Sequence, residues 1–403
     1  MNRLAKRIQN VKPSPTLMIT AKAKTLQAQG RDVIGLGSGE PDFDTPKHIK
    51  KAAIQALKEG FTKYTAVDGI PELKKAIVAK FAADNELTYT PNQVVVTVGG
   101  KQAFYNMAQA IIEAGDEVII PAPYWVSYPD MIYLAEGTPV IVQTSEEKGF
   151  KLTPEQLEKA ITPKTRLLVL NSPSNPTGAT YQKEELGELG EVLLKHPQVL
   201  IVTDDIYEKI IFDRMRFYNL PQVVPALKDR CVVLNGFSKS YSMTGWRLGY
   251  AAGPEYIIKA MVMIQSQSTS NPTSFVQRGA VAALTGSQKC MEPMLRAFHE
   301  RREFVVKSFN AMPGMHCFPP KGAFYAYPNI EGLLGKTAPD GKVIANSLDL
   351  ADMLLDHYDV AIVPGIAFGQ DPYFRISFAT SMTDLERAMK RIHLAAEKLM
   401  GKG

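Results

Sequence analysis

Between residues 93 and 252 one pattern recurs: a short β-branched run, a few turn residues, then an amphipathic helical stretch. The strand candidates are 94–98, 117–121, 139–142, 167–171, 200–204, 232–235 and 248–252. Several, such as VVVTV, RLLVLN and VLIVTD, are apolar at successive rather than alternate positions. That is the mark of strands covered by helices on both faces. The pattern predicts an open, doubly wound α/β domain around a large, mostly parallel seven-stranded sheet.

The C-terminal part reads differently. A long helix is expected from 292 to about 312, followed by strand candidates at 323–327, 360–363 and 373–378. A final helix is expected to open at the capping-box signature Thr383-x-x-Glu386. This predicts a smaller α+β domain. Residues 14–45, with the turn-rich GLGSGEPDFDTP, are expected to pack with it, since chain ends often lie close together. The expected organisation is therefore an N-terminal arm (1–13), a small domain built from both ends (14–45 and 292–403) and a large domain (46–291).

Composition narrows the function. The 403 residues are 45% hydrophobic and 22% charged, enough to build a large core. The net charge of +5 comes without a run of like charges, so nucleic acid is not an expected partner. Three widely spaced cysteines, Cys231, Cys290 and Cys317, draw neither a disulfide framework nor a zinc site and point to a reducing compartment. The histidines include no HxxxH or HxH pair, so no metal is expected. No leader-like or membrane-spanning apolar stretch stands out, which predicts a cytoplasmic protein without a membrane partner. Leu4, Ile8 and Val11 fall at helical spacing beside Arg3, Lys6, Arg7 and Lys12. They read as a basic membrane-surface helix or as a short arm docking on its own or a partner subunit; three apolar residues bury little area, which favours the arm.

Ligands of open parallel sheets bind beyond the carboxyl ends of the strands, so polar residues directly after each run matter most. Gly99, Gly100 and Lys101 follow the first run, with amides that open a helix and can cradle a phosphate. Asn175 lies after the run ending at 171, Asp204 and Tyr207 after the next, and Ser238 and Lys239 after the run ending at 235, with Arg247 further on. From Asn175 to Asp204 is 29 residues and from there to Lys239 is 35, each about one strand-helix-strand unit of roughly 30 residues. All four loops should emerge on one edge. Taken singly, each has a plain reading: a solvated lysine, a helix cap, a turn, a core tyrosine. Together, a lysine beside a carboxylate, a phenol, an amide and a phosphate cradle with an arginine is what pyridoxal phosphate requires.

The stretches NPTG at 175–178, Asp204-x-x-Tyr207, Ser238-Lys239 and Met243-Thr-Gly-Trp-Arg247-Leu-Gly-Tyr resemble the class I aminotransferases of fold type I, in particular the bacterial branch of aspartate aminotransferases. Further matches are Gly37-Ser-Gly-Glu-Pro-Asp, Lys63-Tyr64-Thr-Ala-Val-Asp-Gly, Gly99-Gly-Lys-Gln, Pro123-Tyr-Trp125 and Phe374-Arg375-Ile-Ser-Phe, so the resemblance covers essentially the whole chain. It implies that Lys239 forms the Schiff base, that Asp204 pairs with the pyridine nitrogen, and that Tyr207 and Asn175 bond the ring 3-oxygen. Arg247 and the Gly99, Gly100 and Lys101 loop would bind its phosphate, Ser238 would also contact the cofactor, and Trp125 would stack on its ring. Gly39 and Arg375 would hold the substrate α-carboxylate, beside Trp125 and Asn175. Tyr64 would reach the phosphate of a neighbouring subunit, implying a homodimer with shared active sites.

Two positions depart from the enteric and animal branch. Gly236 stands in place of a phosphate-binding serine, and Ser266 in place of the arginine for a distal carboxylate. Lys101, with hydroxyls from Ser14 and Thr16, is then the expected cation for that carboxylate. The resemblance implies amino acids and 2-oxo acids as substrates, with aspartate and 2-oxoglutarate the main pair and prephenate a second acceptor, as in relatives with a threonine and a lysine at two of these places. The alternative is an aromatic or other aminotransferase of the same fold type. A nicotinamide dehydrogenase, hinted at by Gly35-Leu-Gly37-Ser-Gly39-Glu40, lacks the strand-glycine-helix context. An aminotransferase-like effector domain of a transcription regulator would need an added DNA-binding segment.

Overall fold

The computed structural model describes residues 4–401. The seven expected runs form the seven strands of one sheet: β2 (Val94–Thr97), β3 (Glu117–Ala122), β4 (Thr138–Gln143), β5 (Thr165–Asn171), β6 (Leu200–Asp204), β7 (Cys231–Gly236) and β8 (Gly249–Ala252). They follow β1 (Ile34–Gly35) in the chain and lie in the order β2-β8-β7-β6-β5-β3-β4. Only β8 runs against the rest, pairing antiparallel with both β2 and β7.

Alternate residues of the central strands enter two different cores. Val96, Leu168, Leu170, Ile201 and Val233 face one core with Leu73, Phe81, Leu189 and Ala280 of the helices Pro71–Asn85, Lys183–Lys195 and Ser274–Thr285. Val95, Leu167, Val169, Val202, Val232 and Leu234 face the other, with Phe104, Met107 and Met261 of the helices Gly100–Ile111 and Glu255–Ser266. This two-sided burial is why the runs carry no polar alternation. Each such fully buried side chain stabilises the sheet by about 1.5–3 kcal/mol.

A third core joins both ends of the chain. Here β9 (Tyr325–Ala326), β11 (Val363–Pro364) and β12 (Phe374–Ser377) form an antiparallel sheet, and β10 (Val360–Ala361) pairs parallel with β1, with Ile34 opposite Val360. Ile34 and Leu36 pack with Phe298, Val305 and Phe309 of the helix Glu292–Asn310, and with Ile376 and Ile392. The backbone N–H of Ser377 donates to the carbonyl of Leu36 at 2.7 Å. Tyr207, Ile210 and Phe212, which follow β6, also enter this core, so the loop after β6 is held from both sides.

Three local readings are corrected. The turn-rich segment after residue 33 starts with a strand, β1, whose pairing partner lies near the other end of the chain. The run at 360–363 divides between two sheets. The final helix, Met382–Leu399, is capped by Ser381 rather than opened at Thr383: Ser381 Oγ accepts from the N–H of Asp384 at 3.1 Å. Residues 4–10 are exposed and include a 3-10 turn, Lys6–Asn10; Arg3 lies outside the described residues. No described helix is long and apolar enough to cross a membrane.

Candidate active site

The register of the sheet sets the site. Asn171 at the end of β5 lies opposite Asp204 at the end of β6, and Asp204 opposite Leu234 of β7. Their following loops open into one cavity of about 200 Å3, lined by Thr16, Gly39, Gly100, Lys101, Trp125, Asn171, Asn175, Asp204, Ile206, Tyr207, Ser238, Lys239, Tyr325, Arg247 and Arg375.

Asp204 is the buried carboxylate on the floor. Tyr128 donates to its Oδ2 at 2.6 Å and the N–H of Ile206 to its Oδ1 at 3.3 Å. Burial raises the pKa of Asp204, opposed by these bonds and by Lys239. A cation set against it would restore its usual acidity. Tyr128 is fixed between Phe104, at 4.8 Å between ring centres, and the edge of Trp125, at 5.1 Å. Asn171 ties the strand ends together, donating from its amide to the Asp204 carbonyl and accepting from the Asn175 N–H, each at 2.9 Å.

Lys239 projects its ammonium into the same space, where Nζ donates to the carbonyl of Gly39 at 2.5 Å. Burial lowers its pKa to about 8; Glu40 opposes the shift, and Arg247 and Arg375 add to it. An amine so tuned can take or give a proton near neutral pH.

At the end of β2, Gly99 has φ +82, a left-handed conformation, and a Cβ there would come 2.6 Å from an Arg247 terminal nitrogen. Only glycine leaves the guanidinium its place beside the start of the helix Gly100–Ile111. Arg247 itself has φ 53, an uncommon conformation for a side chain of its size, and donates to the Thr244 carbonyl at 2.9 Å. A helix start with free amides, a glycine that admits an arginine and a nearby Ser238 make a cradle for a phosphate. Lys101 donates to Ser127 Oγ at 3.0 Å and lies 5.0 Å from the Trp125 ring centre. Loss of solvent, then the charge of Arg247, lowers its pKa.

Arg375 comes from β12 and is 2% exposed. It lies between the rings of Tyr325 and Phe368, at 4.5 and 5.1 Å, and donates to the Gly37 carbonyl at 2.6 Å and to Asn175 Oδ1 at 2.9 Å. Its Nε has no partner, and among the described residues no carboxylate pairs with it. A buried guanidinium in that condition suits an incoming carboxylate.

Nearly all the residues singled out in the sequence thus meet at one cavity. Gly99 stands behind Arg247, and Ser14 behind Thr16, with 3.0 Å between the hydroxyl oxygens. Tyr64 is the exception: it is 92% exposed and does not line the cavity of its own chain. Sequence reasoning missed Asn171, Tyr128 and Tyr325. Asn171 had the strand-end signal, and Tyr128 stands one helical turn from Trp125; Tyr325 falls within the expected strand 323–327, where nothing in the sequence marks it as facing the site. Elsewhere, Asp213, His299 and Glu303 gather exposed ligand atoms within 4.8 Å, but Arg302 and Lys321 already pair with Asp213.

The open seven-stranded sheet, with a cavity at its strand ends lined by Lys239, Asp204, Tyr207, Asn175, Arg247 and Arg375, is the arrangement of the pyridoxal-phosphate-dependent enzymes of fold type I. The family profile "Aminotransferase class I and II" matches residues 31–392, and the chain belongs to that family. It is an aminotransferase with pyridoxal phosphate as its cofactor. It is 54% identical to the aspartate/prephenate aminotransferase of Nitrosomonas europaea, over 97% of this chain and 98% of that one. It is 56% identical to the protein of that name from Cereibacter sphaeroides, over 96% and 97%. Among solved structures, the aspartate aminotransferase of Rhizobium meliloti is similar with a TM-score of 0.96 and 48% identity, covering 98% of this chain and 99% of that one.

Proposed function

We propose that this chain moves the amino group of L-aspartate to 2-oxoglutarate, giving oxaloacetate and L-glutamate, and that prephenate serves as a second acceptor. The observation that carries the reading is the lining of one cavity by Lys239, Asp204, Tyr207, Asn175, Arg247 and Arg375. The names of the relatives support the choice of substrates.

Pyridoxal phosphate supplies a carbonyl that takes up and returns an amino group, and a ring that accepts the electron pair left when the α-proton departs. Asp204 holds a proton at the ring nitrogen, an electrostatic task that its low-dielectric surroundings strengthen. Tyr207 and Asn175 bond the ring 3-oxygen, and Trp125 covers the ring face. Arg247, Ser238 and the helix start at Gly99, Gly100 and Lys101 hold the phosphate. Lys239, its pKa lowered to about 8, carries the α-proton as a general base. Arg375, with Gly39, grips the α-carboxylate and so orients the bond to be broken. Lys101 reads the distal carboxylate, with Thr16 and Ser14 as hydroxyl donors.

A homodimer with shared sites belongs to this reading. Tyr64, exposed on its own chain, serves the phosphate held by a partner subunit, and the exposed arm docks there. The division into a large domain (46–291) and a small one (14–45 with 292–403) fits the separate cores and leaves the site between them. A cytoplasmic setting fits three cysteines without a disulfide. Borohydride treatment of the yellow protein should fix the cofactor to the peptide carrying Lys239; a label on another lysine, or a chain that takes up no pyridoxal phosphate, would overturn the reading.

A further inference from the structure

Tyr325 touches three groups of the site at once. Its hydroxyl lies 2.8 Å from that of Tyr207. Its ring carries the Arg375 guanidinium at 4.5 Å from the ring centre. A Cβ on Gly39 would come 2.7 Å from the same hydroxyl, so glycine is what lets this backbone approach and offer its carbonyl to Lys239. Tyr325 itself is 1% exposed and sits on β9, paired with Ser377 of β12 two residues beyond Arg375.

We infer that Tyr325 is a positioning residue that joins the carboxylate seat to the cofactor seat, fixing Arg375 with its ring and Tyr207 with its hydroxyl. This rests on the roles proposed above for Arg375 and Tyr207. In the tyrosine pair either hydroxyl can donate. If the Tyr207 hydroxyl donates its hydrogen bond to the ring 3-oxygen, Tyr325 is the donor to Tyr207, and a hydroxyl that accepts a bond becomes a better donor in a low-dielectric site. The ring has a separate task. Its negative face holds a planar cation in one orientation, so that Arg375 meets a carboxylate without first finding its geometry.

The two tasks separate by substitution. Tyr325→Phe keeps the ring and removes the hydroxyl; Tyr325→Leu removes both. A donor to the 3-oxygen favours the form in which the linkage nitrogen has lost its proton, because the oxygen then carries more negative charge. Absorbance titration of the holoenzyme should therefore give a higher colour-change midpoint for Tyr325→Phe than for wild type. No further rise is expected when Tyr325→Phe is added to Tyr207→Phe. KM for the amino-acid substrate should rise about 3- to 30-fold in Tyr325→Leu and distinctly less in Tyr325→Phe. An unmoved midpoint in Tyr325→Phe, a shift that persists without the Tyr207 hydroxyl, or equal KM values for the two variants would each overturn the inference. Should Tyr325→Leu fail to fold, the Phe variants alone decide. A wild-type protein without a lysine-linked, pH-sensitive chromophore would instead bring down the functional reading, and this one with it.

Discussion

Lys239 carries its ammonium where the fold has removed most of the water, and that has a cost measurable without any turnover. Its pKa falls from an ordinary 10.5 to about 8. In cofactor-free protein the ammonium is tolerated less well folded than unfolded, so the cost is full below pH 8 and fades as the pH rises to about 10.5. Lys239→Met, stripped of cofactor, should melt above the wild type at about pH 7, with the gap narrowing towards about pH 10; calorimetry checks this. In the proposed reading, Lys101 is the residue that discriminates between substrates. Its ammonium is a mobile point charge rather than a rigid fork, which suits distal carboxylates at differing positions. Lys101→Ser should raise KM for aspartate and glutamate about 10- to 100-fold, as expected for a lost hydrogen bond to a charged group, and KM for phenylalanine far less. Equal losses in a steady-state substrate panel would remove Lys101 from the reading of the distal carboxylate.

Among the elements, the turn between β2 and the helix Gly100–Ile111 is the one with least freedom. Gly99→Ala would bring a methyl to 2.6 Å from an Arg247 terminal nitrogen at a φ of +82. The variant should lose about 1 kcal/mol or more of stability and retain pyridoxal phosphate poorly on dialysis. The strands were legible because two-sided burial writes a continuous apolar run, as in Leu167–Val169, whose alternate residues feed opposite cores. Short elements were not: β1 contributes only Ile34 and Gly35, and its identity depends on Val360 and Ala361 far along the chain. Tyr325 lies inside an expected strand, but its role depends on contacts with Tyr207 and Arg375 from distant segments, while Asp204 and Lys239 could be found because a strand end announces its own position. Ser381 and Thr383 both precede a carboxylate at cap spacing, and only backbone geometry distinguishes them.

At the scale of the whole molecule, the exposure of Tyr64 is the feature that a single chain leaves unexplained. If each site borrows this residue, Tyr64→Phe should weaken cofactor retention without unfolding the protein. Mixing Tyr64→Phe subunits with Lys239→Ala subunits should create dimers with one intact site, and activity at limiting cofactor should exceed that of either parent. A fully active monomer by sedimentation and assay would end the shared-site picture.

The pairing of β1 with β10 also orders events during synthesis. All seven strands of the large sheet leave the ribosome before residue 253, whereas the core that takes up Ile34 and Leu36 needs Val360 and Ile376. Ile34 and Leu36 must therefore wait for partners near the other end of the chain, a long-range closure that slows completion of the fold. Arg375 arrives with β12, near the end of the chain. In the proposed reading, a nascent chain thus holds the phosphate-binding turn and Lys239 well before it has the arginine that would receive a substrate.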